Sequence, residues 1–178
     1  MTKLKEERIS GAEVYSGNFI KVQKDRVRLP DGSESTREYI RHPGAVAIVP
    51  LLPDGRVLLE RQFRYPLRRE FIEIPAGKRE AGEDPLETAK RELLEETGYV
   101  AAGWTRIGAI HNAIGYSDES IEMFVARGLE KREAKLDAGE FLEVFDVKLE
   151  EAFEMIRDGR ITDVKTISAL LWVNAFLR

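Results

Sequence analysis

Three glutamates, Glu92, Glu95 and Glu96, follow Arg91 in a stretch whose spacing reads as helix. Successive helical residues turn by about 100° and rise about 1.5 Å, so the three carboxylates share one face within about 6 Å along the axis. Like charges at that spacing repel and call for a compensating cation. Oxygen-only donors at this density suit Mg²⁺, with Mn²⁺ as the alternative, rather than a softer metal. Arg91 can pair with a carboxylate and fix its rotamer. Taken alone, such a run is more often a solvated helix face, the more so in a chain that is 34% charged. What sets it apart is the spacing upstream: Gly77, five residues, Glu83, seven residues, then Arg91-Glu92-Leu93-Leu94-Glu95-Glu96-Thr97-Gly98-Tyr99.

The rest of the composition narrows the chemistry. With no cysteine and only His42 and His111, thiolate metal sites, a cysteine nucleophile and a multi-histidine zinc site are excluded. The net charge of -4 argues against a general nucleic-acid or membrane-surface binder. Residues 1–7 are charged and lack an apolar signal core, and no apolar run reaches membrane-spanning length, so the expectation is a cytoplasmic protein.

The carboxylates need a helix, and its ends are written in the chain. Asp84 is placed to cap it, with Glu87 completing a capping-box pattern, Pro85 at the first position and Gly98 past the end. Leu86, Ala89, Leu93 and Leu94 form its apolar stripe. Residues 1–10 read as frayed, and an alternating segment 14–29, a turn at Pro30-Asp31-Gly32 and a return strand 35–41 read as a hairpin. Ala45 to Leu52 is a nearly continuous apolar run, predicted as a strand buried on both faces. Strands are predicted over 56–64, 71–75, 104–110, 120–126 and 142–147, and helices over 149–157 and 164–177. The order implies an α/β/α sandwich around a mixed sheet, with an N-terminal antiparallel β-hairpin at 1–43 and the main domain at 44–178. A hairpin alone is marginal, so it is expected to pack on its own domain or on a second subunit.

The spacing over residues 77–99 resembles the signature of the Nudix hydrolases at every defining position, with Tyr99 in the last apolar slot. Seven identities at about one in twenty each recur by chance about once in 10⁹ starting positions. The resemblance implies the α/β/α sandwich with the signature as loop–helix–loop. It also implies that Glu92, Glu95 and Glu96 bind metal with the backbone carbonyl of Ala76, that Arg91 and Glu83 order helix and loop, and that Gly77 allows a tight turn. Divalent ions would there offset the charge of a diphosphate and activate water for attack on phosphorus.

From residue 44 to the C-terminus the chain is similar to the ADP-ribose pyrophosphatase branch. The similarity is carried by Arg61-Gln62-Phe63-Arg64-Tyr65-Pro66, Glu73-Ile74-Pro75-Ala76-Gly77, Gly115-Tyr116-Ser117-Asp118-Glu119 and 159–166. It implies hydrolysis of ADP-ribose to AMP and ribose 5-phosphate by a homodimer that exchanges its N-terminal strands. Arg64 and Arg61 would be diphosphate ligands, and Glu38 with Arg37 would lie on the adenine side. Two positions depart from the branch: Ile114 stands where many members have proline, and Ala138 where many have an acid. The general base is then Glu140, in the loop Asp137-Ala138-Gly139-Glu140, or Glu95, or a metal-bound hydroxide, and Glu140 is also a candidate metal ligand. His111, Trp172 and Phe176 read as structural, whereas Phe63 and Tyr65 are open to base stacking. A pyrophosphatase for another nucleotide sugar, such as GDP-mannose, is the alternative. A non-catalytic sensor is disfavoured because all three helix glutamates are kept.

Overall fold

The computed structural model describes residues 3–133, 136, 139 and 141–177. It contains two compact units, one from Met1–Pro43 and His111–Ser120, the other from Gly44–Ile110 and Ile121–Arg178.

The first unit is a three-stranded antiparallel sheet, β1 (Glu7–Ser16), β2 (Lys21–Arg28) and β3 (Glu34–Arg41), in the order β1-β2-β3. The sequence predicts a hairpin after a frayed start; instead Glu7 begins a full strand. Register shifts between Arg8 and Ser10 and between Glu13 and Tyr15 interrupt the alternation that would have marked it. Asp25 holds the three strands together from a buried position, accepting hydrogen bonds from Gln23 Nε2 (3.0 Å) and Tyr39 OH (3.2 Å) and pairing with Arg8 Nε (3.0 Å). The segment 111–120 joins this unit through Ile40 N–H to the Tyr116 carbonyl and His42 N–H to Asp118 Oδ1. His111 is exposed, not built into a core.

The second unit contains β4 (Ala45–Pro50), β5 (Arg56–Arg64), β6 (Arg69–Glu73), β7 (Ala76–Lys78), α1 (Pro85–Thr97), β8 (Tyr99–Ile110), β9 (Ile121–Lys131), β10 (Leu142–Lys148), α2 (Leu149–Arg157) and α3 (Val164–Phe176). Strands β7-β4-β9-β8 make a mixed sheet, parallel only between β4 and β9, and β10-β5-β6 make an antiparallel one. Every residue of β4 is buried. Its side chains alternate between two cores, as period-2 geometry requires. Ala45, Ala47 and Val49 pack with Ala169, Leu170 and Val173 of α3, and Val46 and Ile48 with Ala89 and Leu93 of α1. The predicted α/β/α sandwich is therefore present. Trp172 packs on the α3 side of the core, but Phe176 is exposed at the helix end, contrary to its reading as core. No helix among the described residues is long and apolar enough to cross a membrane.

Helix α1 starts and stops where its sequence says. Asp84 accepts from the backbone of Leu86 (2.9 Å) and Glu87 (3.4 Å), Pro85 occupies the first position, and Gly98 closes the helix at φ 68°. The capping box differs in one respect: the Glu87 carboxylate turns to Lys90 Nζ at 2.7 Å.

Candidate active site

The site is built where edge strand β7 meets α1. Gly44–Arg79 and Ile48–Pro75 are joined by backbone hydrogen bonds across the β4/β7 pairing. Antiparallel ladders alternate, so the intervening Ala47–Ala76 pair is a non-hydrogen-bonded one, and the N–H and C=O of Ala76 point away from β4. The Ala76 N–H reaches Glu96 Oε2 at 3.0 Å, and Glu96 is only 5% exposed. By the same alternation the Lys78 carbonyl faces outward and accepts from Arg91 Nη2 at 3.2 Å. The Ala76 carbonyl therefore lies on the side of the strand that faces Glu96.

Arg91 organises the remaining acids. Its Nε and Nη2 meet both Glu83 oxygens at 3.1 Å, and its Nη1 donates to Glu92 Oε1 and Glu95 Oε2, each at 2.9 Å. With Lys78, all five guanidinium donors have acceptors. Arg91 bonding, with the Glu80 N–H behind it, pulls the Glu83 carboxyl down to about 2, and Glu83 in turn raises the Arg91 pKa. Arg79 completes the loop by donating to the Glu83 carbonyl. The Arg91 guanidinium stands between Glu92 and Glu95, and no three acidic or histidine side chains among the described residues converge on one point.

Gly77 has a role other than the predicted one. Its φ is not in the left-handed region, so no tight turn requires it. A Cβ there would overlap the Glu92 carboxylate. Glycine is needed for the close approach of an acid to the strand backbone.

The carried-over substrate residues divide between the two units. Arg64, at the end of β5, is gripped by Glu73 of β6 through Nε–Oε1 and Nη2–Oε2 bonds of 2.7 Å each. These bonds raise its pKa, and the charge of Glu96 acts on it in the same direction. Arg61 instead donates to Glu143 Oε2 at 3.2 Å and lies 5.5 Å from the Phe145 ring. Arg37 and Glu38 belong to the first unit, Arg37 bonded to Glu6 and Glu38 paired with Lys24 at 2.8 Å. The Lys24 contact holds the Glu38 carboxyl below its ordinary range. Phe63 and Tyr65 are exposed, the latter with the Arg68 guanidinium over its ring. Glu140 and its neighbours Asp137 and Ala138 lie outside the described residues.

Sequence reasoning gave no role to the buried polar residues behind Arg64. Glu73, Lys165 and Thr166 are buried, and Glu60 lies opposite Glu73 in the β5/β6 register, equally shielded from solvent. A signal was present: Glu73 interrupts the apolar run Phe71-Ile72-Glu73-Ile74, and Glu60 directly follows Val57-Leu58-Leu59.

A NUDIX domain model matches residues 41–170, and a model of the nucleoside diphosphate sugar hydrolase N-terminal domain matches residues 6–40. The chain belongs to the Nudix family of hydrolases. Within it the chain resembles ADP-ribose pyrophosphatases: it is 42% identical over 177 residues to an "ADP-ribose pyrophosphatase" of Bacillus subtilis (strain 168), covering 97% of this chain and 95% of that one. It is also 43% identical over 176 residues to a "Methanol dehydrogenase activator" of Bacillus methanolicus, with the same coverage. A solved structure described as "Crystal structure of ADP compounds hydrolase" superposes with a TM-score of 0.89 at 23% identity, covering 99% of this chain and 96% of its own, which shows the fold.

Proposed function

We propose that this protein hydrolyses the diphosphate of ADP-ribose to AMP and ribose 5-phosphate, with Mg²⁺ (or Mn²⁺) held by Glu92, Glu95, Glu96 and the Ala76 carbonyl. The observation that carries the metal site is the outward-facing Ala76 backbone beside Glu96, with the Glu92 carboxylate laid against Gly77, and the choice of ADP-ribose rests on the resemblance to the Bacillus subtilis relative. The donors are all oxygen, and three of them are carboxylates, which fits a hard divalent cation once Glu92 and Glu95 turn from Arg91 toward it. Nudix hydrolases are generally dependent on divalent metal. When bound, the cation would offset the diphosphate's negative charge and activate a water.

The chain's own residues supply the positioning. Arg91 holds Glu83 against the loop and orients Glu92 and Glu95, while the Ala76 N–H orients Glu96. Arg64 binds a phosphate oxygen with its guanidinium. In the reaction one P–O bond forms from water to a phosphorus and the bond from that phosphorus to the bridging oxygen breaks. Glu140 is the proposed proton acceptor.

Substrate identity is the finer part of the reading. Two relatives of nearly equal identity carry different names, so overall similarity does not choose between substrates. Specificity constants over a panel of nucleotide sugars test it: ADP-ribose should rank first, and GDP-mannose ranking well above it would replace the reading. Removal of Mg²⁺ by EDTA, or Glu96→Gln, should abolish turnover; full activity in either case would reject the metal site.

A homodimer exchanging N-terminal strands is part of the same proposal. Val14, Tyr15, Phe19 and Ile20 of the first unit are exposed, an apolar surface suited to a second subunit. Sedimentation at micromolar concentration should give twice the chain mass, and a monomer would end that part of the reading.

A further inference from the structure

We infer that Glu73 and Lys165 act as a positioning pair that sets the plane of the Arg64 guanidinium. The inference rests on the proposal that Arg64 contacts the diphosphate.

Glu73 stands at the end of β6 and is 4% exposed. It meets Arg64 fork to fork, with two bonds of 2.7 Å. Such a bidentate pair fixes a guanidinium plane in a way that one bond cannot. It occupies Nε and Nη2 and leaves the Nη1 edge for another acceptor.

Glu73 is itself held by a second partner. Lys165, in the first turn of α3 and 9% exposed, places its ammonium on Glu73 Oε2. Asp163 also meets Lys165, so Arg64, Glu73, Lys165 and Asp163 together are neutral, and Lys165 serves to hold the Glu73 carboxylate in place rather than to make the cluster positive. Burial pushes the Glu73 carboxyl up, but Arg64 and Lys165 outweigh it and keep it ionised.

The pair is anchored by backbone at both ends. Thr166, fully buried, accepts from the Ile74 N–H at 3.0 Å, next in the chain to Glu73. Its hydroxyl donates to Asp163 Oδ2 at 2.6 Å, and Asp163 caps α3 and takes Lys165 Nζ at 3.0 Å. The first turn of α3 is thus fastened to the strand that carries Glu73.

Stability alone does not account for such a cluster. Buried ion pairs are weak stabilisers compared with apolar residues of similar volume, because desolvation offsets their attraction. Presentation of Arg64 accounts for the charges and for their order.

The test measures ADP-ribose affinity by calorimetry in Mg²⁺-free buffer, and KM and kcat with Mg²⁺, for Arg64→Ala, Glu73→Gln, Lys165→Met and the Arg64→Ala/Glu73→Gln double variant. Glu73→Gln and Lys165→Met should each weaken binding and raise KM by about tenfold, the scale of one charge-assisted hydrogen bond, with kcat changed far less. In the Arg64→Ala background Glu73→Gln should add less than about twofold, since residues acting through one another are not additive. Full additivity, or normal binding in both single variants while Arg64→Ala binds weakly, overturns the inference and leaves Arg64 as a ligand. Normal binding by Arg64→Ala overturns the substrate assignment, and the pair with it. If Glu73→Gln fails to fold, Lys165→Met decides.

Discussion

The Glu92 carboxylate lies so close to Gly77 that no side chain fits between them. The acid is thereby held against the backbone of β7, one residue from the outward-facing groups of Ala76. Gly77→Ala tests this. The obstructing atoms are the end of a flexible side chain, so Glu92 should rotate away and the fold should survive. We expect kcat to fall at least about tenfold, since small displacements of positioned groups cost that much, and unfolding free energy to change by less than about 1 kcal/mol. An active Gly77→Ala enzyme would separate Glu92 from catalysis.

Arg91 neutralises acids that otherwise repel one another. Arg91→Met should lower stability in urea unfolding by about 2–4 kcal/mol, because partly buried carboxylates are left unpaired. If those carboxylates hold a divalent cation, added Mg²⁺ should restore part of the loss by binding only the folded state. The same shift with and without Mg²⁺ would argue against that site.

Glu83 gives an acid-side prediction. Its folded pKa, about 2, lies below the ordinary 4.5, because Arg91 and the Glu80 N–H bind the carboxylate. Its stabilisation is fully present above the unfolded pKa and is lost as pH falls from about 4.5 toward 2. Glu83→Gln should therefore be less stable than the parent at pH 7 and show a flatter decline in that acid window. Parallel curves from pH 7 to 2 would contradict it.

Ile114 replaces the proline expected from the resemblance, yet the turn it would occupy is intact. The Tyr116 N–H donates to the Ala113 carbonyl at 2.9 Å, and neither Ile114 nor Gly115 has a positive φ. Ile114 is thus the second residue of a type I-like turn, where proline is favoured, and it is 83% exposed. Ile114→Pro should raise stability by about 0.4–1 kcal/mol through the unfolded chain, with unchanged kcat. A lower thermal midpoint would show that the turn differs from this description.

Local features were legible in the chain to the extent that they are encoded by neighbours. Asp84, Pro85 and Gly98 bound α1 as predicted because capping is satisfied within one turn. Strand β5 has the predicted limits, Arg56 and Arg64. Strand β7, at three residues, is too short for any periodicity to reveal, and β1 lost its alternation to two register shifts. The Arg91 ion pairs could be anticipated because Glu92 and Glu95 are its helical neighbours and Glu83 belongs to the same short signature.

By itself the sequence determined that three carboxylates share one face of a capped helix, and that the glycine and glutamate upstream of Arg91 mark the Nudix signature. Those are matters of spacing along one element, which the helical repeat converts directly into geometry. Only the tertiary structure decided why Gly77 is glycine, which way the Ala76 backbone points, and that Glu73 and Lys165, 92 residues apart, meet behind Arg64. Sheet pairing and the docking of α3 bring those groups together, and burial there requires each charge to find a partner that no local pattern specifies.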